Sequence, residues 1–420
     1  MNGGDMSLGR ISTLFPLIID HILCLLPIKD AVRTSILSRE WRYTWTRIPV
    51  LRFNKNEFEG SETYLATHLE NLTTQLAHLE QTIDLPRLAK EMIRSYMFFD
   101  AIKQTLLLHQ GPLLEFSLTT NAGKLCVDLD QILSNLSRRN TVKSFFLLLD
   151  RDSEYRLPSS IFSMYQLTYL CLRNGYINHQ PTFKGFGNLT SLELQHVKIS
   201  TKTLVHLVSN CPILKSLWLM LQYTSEDNVL GDGKFPITCL IELLPLIECL
   251  IIDPCILHYF FLDWFPQELS ISLVHLKDVH IKGIRLLESD GLRLLFFLIQ
   301  CSPNLEKLCL DVDNAGLGLG LGLGLGSDPE VLERYNRNPI RIDRYSNIWL
   351  NNLNEFEIRG FFNFKLHLEI VQLILVKSPV LKKVILRPLD MVTKNEYSTI
   401  TKILLKSPCI SASADIFLLS

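Results

Sequence analysis

Apolar residues along this chain recur in a fixed frame: apolar, two residues of any kind, apolar, one of any kind, apolar. The frame fits at Leu113/Phe116/Leu118, Val142/Phe145/Leu147, Leu167/Leu170/Leu172, Leu189/Leu192/Leu194 and Leu214/Leu217/Leu219. It continues at Ile247/Leu250/Ile252, Leu276/Val279/Ile281, Leu305/Leu308/Leu310, Leu353/Phe356/Ile358 and Leu381/Val384/Leu386. Side chains alternate along a strand, so the last two members share a face, and each frame predicts a short strand buried on one side. Helical stretches are expected between strands, at Ser200–Asn210, Glu288–Gln300 and Leu366–Lys377. Several stop at Asn210-Cys211-Pro212, Cys301-Ser302-Pro303 or Ser378-Pro379. Proline lacks the N–H and disfavours helix in the residue before it, so it ends the helix and feeds the next strand.

Start-to-start spacings are 29, 25, 22, 25, 33, 29, 29, 48 and 28 residues. Most lie near the roughly 20–29 of a leucine-rich repeat. One strand-and-helix unit cannot bury its apolar face alone, so units must stack on a shared core. The predicted fold is an α/β solenoid: a short N-terminal helical module followed by an irregular leucine-rich-repeat array. Irregularity is expected because the asparagine usual after such strands is mostly missing. An ordinary α/β fold with leucine-rich strands is the alternative. Within the 48-residue gap, Gly316 to Gly326 alternates Gly and Leu. Glycine at every second position weakens helix and strand alike. Leu321 stands where GxGxxG needs its third glycine, so a loosely packed insertion is expected rather than a phosphate loop.

Residues 10–53 carry a different pattern. One helix is predicted from Pro16 to Leu26 and another from Lys29 to Thr46, separated by Pro27. In the second, Leu37, Trp41 and Trp45 recur every four residues, with Val32 and Ile36 beside them, while Arg33, Arg39 and Arg42 charge the other face. The first is apolar nearly all round. A module of about 45 residues is too small to bury that surface, so it packs on the repeats or meets another protein.

Leu26-Pro27-Ile28-Lys29-Asp30-Ala31-Val32-Arg33-Thr34-Ser35, then Leu37-Ser38-Arg39-Glu40-Trp41-Arg42, with Trp45 and Pro49, resembles the F-box of plant F-box/leucine-rich-repeat proteins. Leu107-Leu108-His109-Gln110-Gly111-Pro112 resembles the same family, and Ser378-Pro379-Val380-Leu381 its C-terminal FBD segment. Residues 56–95 match poorly. The family's opening Leu-Pro is Leu14-Phe15-Pro16 here, a displaced proline at the turn that touches the adaptor in the family.

The resemblance implies a substrate receptor of a Skp-adaptor/cullin/F-box ubiquitin ligase. Adaptor docking would fall to Leu14, Pro16, Ile19, Ile22, Leu23, Leu26, Pro27, Val32, Leu37 and Trp41, some of which must also hold the helices together. The implied domains are an F-box at 10–53, a helical linker at 54–104, repeats at 105–350 and an FBD-like segment at 351–420. No cofactor is expected. An interaction scaffold without a ubiquitin role is the alternative.

Strand alternation also gives the outward face of the repeats. It carries Arg173, Glu193 with Gln195, Trp218, His280 with Lys282, Lys307 with Asp311, Glu357 with Arg359, and Arg387. Solenoids bind partners on this face. Arg173, Glu193, Trp218, His280, Asp311 and Arg359 are the candidate substrate contacts. Trp218 would lie beneath a partner or beneath the loop Thr224–Phe235.

Charge narrows the partners. The 42 Lys and Arg balance 43 Asp and Glu, which argues against nucleic acid and, with mixed signs on the strand face, for a protein. Hydrophobic residues make up 47%, with a mean hydropathy of +0.18, yet Leu240–Phe265 is broken by Glu242, Glu248, Asp253, Asp263, Pro245 and Pro254. A spanning helix is therefore not expected. Leu14–Leu26 carries Asp20 and His21 and leads into Pro27, unlike a signal peptide. Ten cysteines without a CxxC pair suggest free thiols in a reducing compartment, cytoplasmic or nuclear. Asn71, Asn135 and Asn188 then read as chance sequon matches.

Catalytic signals are weak. HExxH, GxSxG and P-loop motifs are missing. His206 reads as a helix residue, Cys211 and Cys301 as packing at helix ends, and Cys255 with His258 lacks a third metal ligand. Leu65, Leu69, Leu72, Leu76, Leu79 and Ile83 alternate spacings of four and three. That stripe fits a linker helix packed on the chain, or self-association.

Overall fold

No residue of the ten frames read from the sequence is more than 2% exposed. Each frame supplies one strand of a parallel sheet with helices. Fully burying a Leu, Ile or Phe side chain is worth about 1.5–3 kcal/mol, so these positions contribute strongly to the core. The computed structural model describes residues 16–37, 39, 41–58, 85–122, 126–151, 153–177, 186–222, 235–262, 272–286, 289–313, 345, 347–361, 365–389, 402–403, 411 and 414–419. Leu14, the Leu65–Ile83 stripe and the Gly316–Gly326 segment lie outside them. The chain forms two compact units, Met1–Asn188 and Leu189–Ser420.

In the first unit β1 (Val50–Asn54), β2 (Glu115–Thr120), β3 (Ser144–Leu149) and β4 (Tyr169–Arg173) pair in parallel in that order, and β5 (Tyr176–Ile177) follows. β1 was not anticipated, because its residues closed the F-box motif. Yet Ile48, Leu51 and Phe53 fit the apolar frame and are buried. The helix Val127–Arg139 turns Leu129, Ile132, Leu133 and Leu136 inward and ends at Asn140 in the left-handed region. A 24-residue helix, Leu85–Leu108, also lies here and runs past the expected linker boundary at 104.

The N-terminal module departs from expectation. Its first helix spans Pro16–Leu25, but the second breaks into Ile28–Arg33 and short 3-10 turns at Thr34–Ile36 and Thr44–Arg47. Threonine explains the tightening. Thr34 Oγ1 donates to the Ala31 carbonyl at 2.6 Å and Thr46 Oγ1 to the Tyr43 carbonyl at 2.7 Å, competing with helical N–H groups for acceptors. The Leu37/Trp41/Trp45 stripe therefore does not form: both tryptophans are buried and Leu37 is exposed.

The module runs straight into the sheet. The Pro49 carbonyl accepts from both Leu114 and Glu115 N–H, and Leu114 and Lys143 each serve the following strand in the same way. In the second unit Thr190, Lys215, Glu248, Lys277, Glu306 and Asn354 repeat this two-donor contact, at 2.7–3.1 Å throughout. Behind it, Gln110 and Gly111 N–H donate to the Thr46 carbonyl. A Cβ on Gly111 would stand 2.7 Å from the Arg47 carbonyl oxygen, so this approach needs glycine.

In the second unit β6 (Ser191–Ile199), β7 (Ser216–Leu221), β9 (Cys249–Ile252), β11 (Asp278–Ile284), β12 (Lys307–Val312), β13 (Glu355–Phe361), β14 (Lys383–Pro388) and β15 (Asp415–Leu418) pair in parallel in that order. β8 (Phe235–Pro236) and β10 (Phe260–Phe261) form a separate parallel pair. Helices Thr201–Ser209, Ser289–Cys301 and Lys365–Lys377 fall where predicted. Ser200 caps the first, its Oγ accepting from Thr203 N–H at 3.2 Å. At two helix ends the residue before proline reaches back four positions. Cys211 Sγ donates to the Leu207 carbonyl and Ser302 Oγ to that of Leu298. β15 was missed because Ser413 stands where the frame needs its first apolar residue.

Candidate functional site

The N-terminal module has a complete core and a second apolar face outside it. Ile19, Leu23, Ala31, Trp41, Trp45 and Ile48 pack inward. Ile18, Ile22 and Leu25 follow helical spacing along a flank of the first helix beside that inner face, Leu26 stands just past its end, and Leu25 is 71% exposed. Val32, Ile36, Leu37 and Tyr43 extend the exposed set, with Ile36 at 87%. Of the expected docking residues, Ile22, Leu26, Pro27, Val32 and Leu37 are therefore open to a partner. Ile19, Leu23 and Trp41 are not: they are 8%, 0% and 4% exposed and hold the module together. Pro16 starts the first helix. Sequence reasoning missed Ile18 and Leu25, because the first helix is apolar all round and its inner face was not separable, and Ile36 and Tyr43, because the segment that carries them was read as one continuous helix.

Arg52 anchors this module. Its Nη1 donates to the Cys24 carbonyl at 3.3 Å, near the C-terminus of the first helix, while Nε and Nη2 lie 2.9 and 2.8 Å from Glu115 Oε1 on β2. Lys55, just past β1, is buried. Its Nζ meets Glu91 at 2.7 Å and Ser95 at 2.6 Å on the long helix, and also contacts Asn121. Burial raises the Glu91 pKa, but the hydrogen bond and charge of Lys55 outweigh it and lower the carboxyl overall.

The outward strand face of the second unit forms registered rows. Glu193, Trp218, Ile251, His280, Cys309, Glu357, Ile385 and Phe417 are paired strand by strand. Asp311, Arg359 and Arg387 make the next row. Of the expected contacts, Glu193, Trp218 and His280 thus share one row, and Asp311 and Arg359 the other. Arg173 ends β4 in the first unit and is exposed. Gln195 is a correction: it is buried and donates to Glu193 at 3.1 Å, so it offers nothing outward.

Trp218 is half-buried rather than bare. Lys282 Nζ lies 4.3 Å from its ring centroid, a cation–π contact, while Nε1 is buried without a hydrogen-bond acceptor. Residues 224–234 of the loop expected to cover it lie outside the described residues. Glu357 sits under two guanidinium groups, with Arg359 Nε and Arg387 Nε each 2.8 Å from Oε1. The Arg359 hydrogen bond, foremost, holds its carboxyl down at about 2. His280 Nε2 and Asp311 Oδ2 are 2.9 Å apart, and Arg359 Nη1 is 3.5 Å from Asp311 Oδ1. Cys309 lies beside them. No metal site was expected here, since the residues are about one repeat apart; strand register is what joins them.

Burial pushes the Cys211 and Cys301 thiols up to about 12, consistent with packing at the helix ends. Nine cysteines among the described residues are free. Among the described residues, no helix is long and apolar enough to cross a membrane.

A family profile of the F-box domain matches residues 11–53, the module with the exposed apolar face. A second, for the leucine-rich repeats of the FBD-associated F-box protein At5g56370, matches residues 129–229. The chain carries an F-box and leucine-rich repeats. It is similar to plant F-box/FBD/leucine-rich-repeat proteins. The F-box/FBD/LRR-repeat protein At1g13570 of Arabidopsis thaliana is 27% identical over 415 residues, covering 89% of this chain and 90% of that protein. The FBD-associated F-box protein At5g56370 of the same plant is 30% identical over 221 residues, 50% of this chain and 43% of its own. The putative F-box protein At3g58860 of Arabidopsis is 28% identical over 240 residues, 52% and 47%. The F-box chain thus spans most of the first relative and about half the length of the other two.

Proposed function

We propose that this chain is the substrate receptor of a Skp-adaptor/cullin/F-box ubiquitin ligase, working in the cytoplasm or nucleus. The observation that carries the reading is the exposed apolar face of a module whose own core is already filled. Ile18, Ile22, Leu25, Leu26, Val32, Ile36 and Leu37 leave seven large apolar side chains of one small module in water, which supports a protein-binding surface. The F-box would dock there on a Skp-type adaptor and through it reach a cullin. The repeats, stacked as an irregular solenoid, would hold a protein target on the strand face that carries Trp218, His280 and Arg359. Such a subunit performs no bond chemistry of its own. It raises the effective concentration of a target lysine near the charged ubiquitin.

The test is capture of the adaptor and cullin by the full chain in cell extract. Large anchors at an interface typically cost about 2 kcal/mol or more when lost. Leu25→Asp with Ile36→Asp should therefore abolish capture without moving the thermal melt, because neither side chain is buried. Capture that survives the double substitution would sink the docking face. A chain that captures no adaptor at all would instead be an interaction scaffold without a ubiquitin role.

A further inference from the structure

We infer that the second unit holds a divalent transition-metal site, of the type Zn2+ occupies, at His280, Cys309 and Asp311. The inference concerns the chain's own side chains and does not depend on the ligase reading. β11 and β12 pair His280 directly with Cys309, and Asp311 lies two residues on, on the same face. The imidazole nitrogen, the thiol sulfur and the carboxylate oxygen all lie within 4.8 Å of one another. Among the described residues this is the only group of three such side chains whose ligand atoms converge.

The donor chemistry is specific. Thiolate with imidazole selects borderline-soft ions such as Zn2+ over Mg2+ or Ca2+, which prefer an all-oxygen shell. Ligands about 2.0–2.3 Å from a tetrahedral ion stand roughly 3.3–3.8 Å apart, so the group needs only side-chain rotation to close. Arg359 Nη1 faces Asp311 Oδ1 and leaves Oδ2 turned toward His280. The Arg359–Asp311 contact is an ion pair at 3.5 Å without a hydrogen bond, and it places a cation on the far side of the carboxylate, where the outer layer of a metal site stands.

Protons balance as follows. The Cys309 thiol gives up its proton to solvent as the metal takes the sulfur. The imidazole proton now shared with Asp311 moves from Nε2 to Nδ1, freeing Nε2. One thiolate and one carboxylate then cancel the charge of the ion, so the neighbouring Arg359 and Lys282 do not oppose binding. Three protein ligands leave a fourth position open. It lies on the outward strand face, where a thiolate, imidazole or carboxylate of a bound protein would complete the shell.

Titration of the chelator-stripped full chain with Co2+ tests this. One Co2+ per chain is expected, with a near-ultraviolet thiolate charge-transfer band, release of one proton, and displacement by one Zn2+. Cys309→Ser should remove the band. His280→Gln should weaken Zn2+ by more than about tenfold, since even outer-layer partners cost that much. Cys126→Ser, in the other unit, should change neither. A natively folded chain that takes up no Co2+, or a band that survives Cys309→Ser, overturns the site. If Cys309→Ser fails to fold, His280→Gln decides by the same titration: unchanged affinity overturns the site and the tenfold loss supports it.

Discussion

His109 joins the F-box to the repeats through one hydrogen bond: its Nε2 lies 2.8 Å from the carbonyl oxygen of Ile48. The carbonyl can only accept, so Nε2 carries the proton. The ring is then neutral with Nδ1 free to accept, and Arg139 Nη1 stands 3.4 Å from that atom. Arg139 also donates to the carbonyls of Leu106 and His109, so one guanidinium and one imidazole close the end of the long helix over the last residues of the module.

Burial, helped by Arg139, lowers the His109 pKa against the opposing Ile48 bond. The unfolded chain then takes up a proton that the folded chain refuses. Stability is therefore full above the unfolded value of about 6.5 and falls as pH drops below it. His109→Phe removes that titration and also orphans the Ile48 carbonyl, at a cost of about 1–3 kcal/mol. We expect the variant to melt lower at pH 8, with the gap to the native chain narrowing toward pH 5. A gap that widens on acidification would show His109 to be protonated in the fold.

The repeats were legible because burial on one strand face imposes a frame with few alternatives. Leu113 to Leu386 obey it, and even the overlooked β1 does, through Ile48, Leu51 and Phe53. β15 was not legible, since Ser413 breaks the frame and only backbone pairing places the strand. The F-box was legible as a motif but not as geometry. A four-residue stripe through Leu37, Trp41 and Trp45 looks helical, whereas threonine side chains capture the carbonyls that a continuous helix needs. The grouping of His280, Cys309 and Asp311 follows from repeat length plus register, and register is fixed only once the strands are paired.

Asp253, just past the end of β9, is held up to about 7 by burial, against the bonds it accepts from Cys255, and its Oδ1 is buried without a partner. Here the folded chain binds the proton more tightly than the unfolded one. Its contribution is thus whole below the ordinary value of 3.8 and is lost as pH rises toward 7. Asp253→Asn keeps the shape and removes the charge. It should raise the melting temperature at pH 8, by about 1–2 kcal/mol of stability, and do little at pH 4. Equal effects at both pH values would mean that the carboxylate is solvated.

Three strands of the second unit end in the same irregularity, and its glycine requirement can be measured. Register shifts occur between Gln195 and Val197, between Ile281 and Ile284, and between Arg359 and Phe361. Each bulge holds a residue with positive φ: His196 at 54°, Gly283 at 68° and Gly360 at 68°. An L side chain in that region costs about 1–2 kcal/mol, partly offset by the roughly 0.4–1 kcal/mol that alanine gains over glycine through the unfolded chain. A Cβ at Gly283 meets nothing within 4 Å, so Gly283→Ala reports the conformational cost without a clash. It should lower the melting temperature by about 1–4 °C, and His196→Gly should move it the other way or leave it unchanged. Calorimetry on both variants decides the matter. If Gly283→Ala is neutral, the bulge tolerates side chains and His196 is unstrained; if His196→Gly melts markedly lower, the imidazole contributes contacts worth more than the backbone strain it carries.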